Sequence, residues 1–271
     1  MKLTVITITR NNLAELEQTV ASVLEQSFRE LEFIIIDGAS SDGTKVFLER
    51  QDPTRVIWCT EEDNGISDAF NKGQRMARGE AVLFLNAGDT FVSKDTVALF
   101  CEMLPPEIEL RKSIVYGNFI AVTGDAEKLL IADHRRLHKT NSLNHQSTWI
   151  GQDIYQQFYY DPRLILGMDY DYWLRCVRQC LPFVKIELPI AKFRVGGRSS
   201  NIRYRVHIAF IRYFLRVLNS GKILKASDVF DVLLTGFIAL GDTVIHTMVP
   251  QRLIAFIKKS IFPAKTRHHP R

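Results

Sequence analysis

Two periods alternate along the first third of the chain. Leu3-Thr4-Val5-Ile6-Thr7-Ile8-Thr9 is rich in β-branched residues and predicts a strand, which Arg10-Asn11-Asn12 breaks. Leu13, Leu16, Val20, Val23 and Leu24 recur at helical spacing, predicting a helix that packs back on the sheet. Leu31–Ile36 predicts a second strand. It ends in the polar loop Asp37-Gly38-Ala39-Ser40-Ser41-Asp42-Gly43-Thr44, whose Asp and Ser groups can cap the helix carrying Val46, Phe47 and Leu48. Asp42 reads as a turn and cap residue. Arg55–Cys59 predicts a third strand and Ile66–Arg78 a helix with Ile66, Ala69, Phe70 and Met76 inward. A fourth strand begins at Ala81 and runs into Leu83-Phe84-Leu85-Asn86-Ala87-Gly88-Asp89. Four rounds of strand and helix predict an α/β fold, a mostly parallel sheet flanked by helices.

Beyond Asp89 the rhythm loosens. A helix is expected near Thr96–Leu104, stopped by Pro105-Pro106, and a strand over Ile114–Val122. A second, βαβ-like unit is expected from the strand-like Thr148-Trp149-Ile150, a helix over Asp169–Cys180, and Phe183–Ile186 with Ile190–Phe193. From 203 to 262 the pattern is helical, with Ile208, Ile211, Phe214 and Leu218 set among Arg205, Arg212 and Arg216. The apolar stretch Phe230–Val249 contains Asp231, Asp242 and His246, which argues against a bilayer span.

At 271 residues, 46% hydrophobic and 24% charged, the chain has globular composition. Its net charge of +5 is unevenly divided. From Arg194 onward there are 14 Lys/Arg against 3 Asp/Glu, whereas residues 1–193 hold 21 against 27. The expected organisation is a catalytic domain over 1–200 and a basic, amphipathic extension over 201–271. Such an extension suits the anionic inner face of a membrane. Met1-Lys2 leads straight into a strand with no apolar leader, so the body is expected in the cytoplasm, peripherally associated with the membrane. No nucleic-acid partner is expected. Cys59, Cys101, Cys176 and Cys180 lack zinc or redox spacing and read as reduced, mostly buried residues.

The chemistry concentrates at one edge of the expected sheet. A carboxylate just past a buried strand, as Asp89 is, needs a charge partner, hydrogen-bond donors or a metal. Four loops converge there: Thr7–Asn11, Asp37–Asp42, Asp63–Lys72 and Asn86–Asp89, three of them acidic. Ligands of open α/β sheets bind at the carboxyl edge, and this set suits a base, a ribose and a metal-bridged diphosphate, the parts of a nucleotide-sugar. No glycine fingerprint follows the first strand and no phosphate loop occurs, which argues against dinucleotide dehydrogenases and P-loop enzymes.

Four motifs carry a family resemblance: Thr4–Asn11, Ile36–Thr44, Asp63–Gly73 and Leu85-Asn86-Ala87-Gly88-Asp89. In this order they resemble the family 2 inverting glycosyltransferases, and more narrowly the branch that builds bacterial exopolysaccharide, colanic acid and O-antigen units. The resemblance spans about residues 3–200. It implies a GT-A fold and a nucleoside-diphosphate-sugar donor, and a lipid-linked glycan acceptor is the expected partner. By the same resemblance Thr7, Arg10 and Asp37 hold base and ribose, Asp68 and Lys72 approach ribose and diphosphate, and Asp89 binds Mg²⁺ or Mn²⁺. The chain departs from the usual Asp-x-Asp metal motif at Asn86-Ala87-Gly88-Asp89, so weak metal binding is expected.

The resemblance also implies that the base comes from Met168-Asp169, where many members carry Glu-Asp; Asp169 matches the second acid, with Asp171 the rival. At the start of a helix Asp169 is expected to be ionised at neutral pH. His145-Gln146 resembles a pair near the acceptor or donor phosphate, and Arg198, in Gly196-Gly197-Arg198-Ser199, resembles a diphosphate clamp. Two rivals accompany this reading. One is a nucleotide-sugar-binding protein with little or no turnover, suggested by the missing acid. The other is a nucleotidyltransferase, which shares the nucleotide-binding sheet.

Overall fold

The computed structural model describes residues 1–164 and 166–195. The loop holding Arg198 and the extension over 201–271 lie outside the described residues. Four strands appear where the apolar runs place them: β1 (Leu3–Thr9), β2 (Leu31–Asp37), β3 (Val56–Thr60) and β4 (Ala81–Phe84). Between them run α1 (Leu13–Leu24), α2 (Thr44–Glu49) and α3 (Ile66–Met76). All three pairings, β1 with β2, β2 with β3 and β1 with β4, are parallel. Crossover helices impose that sense, because a strand re-entering the same sheet through a helix returns in its original direction.

Alternation along each strand feeds two cores. Ile6, Ile34, Ile36, Val82 and Phe84 face α3, whereas Val5, Phe33, Ile35, Leu83 and Leu85 face α1 and α4 (Thr96–Glu102). Both faces are covered, so β2 and β4 read as continuous apolar runs.

The second half is mixed. β5 (Thr90–Phe91), β6 (Ile114–Thr123), β7 (Ala126–Leu130), β8 (Thr148–Gly151) and β9 (Phe183–Arg194) complete a sheet ordered β3-β2-β1-β4-β8-β6-β9-β5, with β7 added to β6. Its helices are α5 (Gln152–Tyr155) and α6 (Met168–Arg178). The expected βαβ-like unit is not formed. β8 and β9 lie on opposite sides of β6, β8 antiparallel to it and β9 parallel. The reversal has a large effect on the site. With Ala81 opposite Gly151 and Val82 opposite Ile150, the end of β4 meets the start of β8, where His145-Gln146 stands. Cys180, expected among the mostly buried cysteines, is exposed. Among the described residues no helix is long and apolar enough to cross a membrane.

Gly73 shows how closely α3 lies on the sheet, since a Cβ there would fall 2.4 Å from Ile6 Cγ2. Alanine normally favours a helix interior over glycine by about 1 kcal/mol. Here overpacking reverses the sign, and Gly73→Ala is expected to lower stability by about 1–3 kcal/mol in urea unfolding. A stabilised variant would show that the helix can lift from the sheet.

Candidate active site

The carboxyl ends of β1, β2 and β4 open on one edge, and each exit loop is fixed by short side-chain bonds. After β1, Asn11 adopts φ 51° and its Oδ1 accepts the Ser41 N–H at 2.8 Å. Asp42 caps two helices, accepting the Leu13 N–H at 2.9 Å and the Thr44 hydroxyl at 2.6 Å. These donors, Thr44 first, hold its pKa below the usual value.

Asp37 ends β2 fully enclosed, both oxygens turned to Ser40, whose N–H and hydroxyl donate to them. The neighbouring acid is Asp63. It accepts the Gly65 N–H at 2.9 Å, and its Oδ2 lies 2.2 Å from where a Gly38 Cβ would stand, with Arg10 Cδ 3.3 Å from that point. Glycine at 38 therefore lets Arg10 and Asp63 close over the end of β2. Thr7 does not reach this pocket. It is fully buried and gives its hydroxyl to Leu85 O at 2.6 Å, a bond between β1 and the end of β4. Thr9, two residues on, is buried with an unpartnered Oγ1.

Asp68 and Lys72 are together, but Lys72 is held toward the loop after β3. Its ammonium lies 2.9 Å from Glu61, 3.4 Å from Asp68 and 2.6 Å from Glu62 O. Burial pulls the Lys72 pKa down, but Glu61 and Asp68 outweigh it and raise it. The Asn64 N–H, then Lys72, lowers that of Asp68.

The loop after β4 meets the segment before β8 through two side-chain bonds. Gln146 Nε2 donates to Asp89 Oδ2 at 2.8 Å, and Asn86 Nδ2 lies 3.0 Å from His145 Nε2. The structure thus brings His145 and Gln146 to Asp89. Burial pushes the Asp89 carboxyl up to about 7; Gln146 and the Arg194 and Asn86 N–H groups oppose the shift, and Glu15 adds to it. Burial lowers the His145 pKa against the pull of Asp169. Four atoms in this region are buried without a partner: Asn86 Oδ1, Asn141 Oδ1, His145 Nδ1 and Gln146 Oε1.

Asp169 lies in the first turn of α6, introduced by Gly167 at φ 71°. Its Oδ2 accepts from Asn141 Nδ2 at 2.9 Å. Sequence reasoning gave no role to Asn141, which sits in the 123–144 stretch without a motif around it. Asp171, the rival base, is buried and bound to Arg175 Nε at 2.8 Å, one turn along the helix.

A polar stripe on α3 holds the approach to Asp169. Asn71 donates to Tyr160 O and accepts the Tyr160 N–H, both at 2.8 Å, like a strand neighbour. Ser67 donates to Leu164 O at 3.2 Å, and Gln74 to Phe158 O at 2.6 Å.

Among the described residues no group of three or more His, Cys, Asp or Glu could hold a metal ion. The donors beside Asp89 are hard oxygens, one carboxylate and two orphaned amides. They fit a divalent cation that brings further oxygens with it, and do not form a complete cage.

The description "Glycosyl transferase family 2" matches residues 4–159. An uncharacterized glycosyltransferase of Mycobacterium tuberculosis is 31% identical over 201 residues, 73% of this chain and 76% of that protein. A mannosyltransferase from Pyrobaculum calidifontis, solved with GDP-Man and Mn²⁺, superposes with TM-score 0.64 at 17% identity, over 96% of this chain and 79% of that one. Staphylococcus aureus TarS with UDP-GlcNAc gives TM-score 0.63 at 15% identity, over 94% and 83%. The fold is that of the GT-A glycosyltransferases.

Asp89 also sets a pH dependence. Its folded-state pKa is about 7 against 3.8 for the free group, so between these values the folded chain binds the extra proton and loses stability as pH rises. For the cation-free protein the loss should approach roughly 4 kcal/mol by pH 8, at about 1.4 kcal/mol per unit. Asp89→Asn should remove this slope and raise Tm at pH 8, read by thermal unfolding in chelator from pH 5 to 8. An unchanged slope would place the titration elsewhere.

Proposed function

The chain belongs to glycosyl transferase family 2, and we propose that it transfers a sugar, with inversion, from a nucleoside diphosphate to a hydroxyl of a lipid-linked glycan. The product would be a repeat unit of a bacterial surface polysaccharide. The observation that carries this reading is the carboxyl edge of β1, β2 and β4, where Arg10 and Asp63 close over Gly38, Asp89 meets Gln146, and His145 lies within electrostatic reach of Asp169.

In this reading Arg10 and Asp63 flank the base, with Asp37 holding the loop beneath it. Asp68 and Lys72 fix the loop on the ribose side. Asp89 would hold Mg²⁺ or Mn²⁺, which neutralises charge on the departing diphosphate when bound. Asp169 takes the proton from the acceptor hydroxyl as that oxygen attacks the anomeric carbon opposite the leaving group. One carboxylate suffices, and no covalent intermediate forms. Asn141 orients Asp169, and the buried His145 ring, its pKa lowered by burial, offers a hydrogen bond. Arg198 belongs to this proposal as a second countercharge for the diphosphate. The catalytic domain would span 1–200, and the basic extension over 201–271 would carry it to the inner membrane surface, where a lipid-linked acceptor is exposed.

The test is a panel of nucleoside-diphosphate-sugars with and without Mn²⁺, read as free nucleoside diphosphate released in the presence of acceptor. Asp169→Asn should lower kcat by about 10²–10⁴ with donor affinity retained. Asp171→Asn should act through α6 stability and leave kcat of the folded fraction within a fewfold. Equal loss of kcat in both variants would remove Asp169 from the base role, and donor binding without turnover in wild type would favour a sugar-nucleotide-binding protein.

A further inference from the structure

The family's metal motif lacks an acid here, and the structure shows why residue 88 cannot supply one. Gly88 has φ +96°, and a Cβ there would lie 2.8 Å from Glu15 Oε2 and 3.2 Å from its Cδ. An aspartate would be strained in backbone and would press one carboxylate on another. Asn86, the other candidate position, carries an amide.

The same edge holds two amides fixed by their nitrogens. Gln146 presents its Nε2 to Asp89 Oδ2, leaving Oε1 facing elsewhere. Asn86 presents its Nδ2 to His145 Nε2, leaving Oδ1. Both oxygens are buried with no donor, and Gln146 as a whole is only 7% exposed. A buried polar atom left unpaired costs about 1–3 kcal/mol, so two beside one carboxylate mark a place where a ligand is due. Amide oxygens are ordinary ligands of hard divalent cations.

Building on the glycosyltransferase reading, we propose that Asn86 Oδ1 and Gln146 Oε1 replace the missing acid, so that the cation is held by Asp89, two neutral amide oxygens and the donor's diphosphate. The protein then contributes one formal negative charge and the nucleotide the rest. The cation is bound weakly by the free chain, arrives with the sugar-nucleotide and departs with the nucleoside diphosphate. Gln146 has two functions, orienting Asp89 through its nitrogen and binding through its oxygen.

The experiment is Mn²⁺ titration of the full chain by electron paramagnetic resonance, alone and with saturating UDP or GDP. Nucleotide affinity is measured separately in chelator. Wild type should bind Mn²⁺ at least tenfold more tightly with the nucleotide than without it. Gln146→Ala and Asn86→Ala should each weaken Mn²⁺ in the nucleotide complex about tenfold or more and leave nucleotide affinity in chelator within twofold. Asn86→Asp and Gln146→Glu restore a carboxylate and should tighten Mn²⁺ in the free chain about tenfold, a gain that only folded protein can show. Unchanged Mn²⁺ affinity in both alanine variants would overturn the inference and leave the glycosyltransferase reading intact. So would an Asn86→Asp chain that loses nucleotide without gaining Mn²⁺, because the amide nitrogens would then be the groups facing phosphate. A wild type that binds neither nucleotide with or without Mn²⁺ would overturn both.

Discussion

The pairing of β4 on its two edges is the constraint from which the rest of the site follows. All four of its residues are buried, and it runs parallel to β1 on one side and antiparallel to β8 on the other. The parallel side aligns its exit loop with those of β1 and β2. The antiparallel side delivers the segment before β8 to the same exit. A parallel β8 would have put Gly151 and Gln152 there, and His145-Gln146 would stand at the far end of β4. Gly151 also admits no side chain, since a Cβ would lie 2.3 Å from Leu110 O.

Much of the first half was legible because its signals are local. β-branched runs, helical spacing and polar loops coincide at each boundary, so the four parallel strands and three helices fall where the pattern places them. The second half was not, because strand sense is a long-range property. Thr148-Trp149-Ile150 carries no mark of its direction, and only packing on β4 and β6 reverses it. β7, four of whose five residues are exposed, has neither β-branched or aromatic residues nor an apolar–polar alternation by which to be read as a strand.

The site was legible in position and less so in detail. Asp89, His145, Gln146 and Asp169 could be named from sequence, but not the bonds that pair the first with the third. Strand alternation turns Thr7 to the α1 side, where Leu85 O takes its hydroxyl, a bond that its motif does not announce. Lys72 follows the expected motif, and Glu61 and Asp68 hold it at the loop after β3, because two carboxylates within reach fix an ammonium that no other charge among the described residues approaches as closely. Asn141 could not be found at all, since an asparagine in an irregular stretch acquires meaning only through the carboxylate it meets.

Helix α3 carries two kinds of cargo on its flanks. Asp68 and Lys72 grip the loop after β3, and Ser67, Asn71 and Gln74 hold the backbone that leads to Asp169. A three-turn helix seated directly on β1 behaves as a single lever and cannot flex between those grips. The loop after β3 and the approach to Asp169 therefore share one mechanical datum, and the distance between them is set by the helix itself.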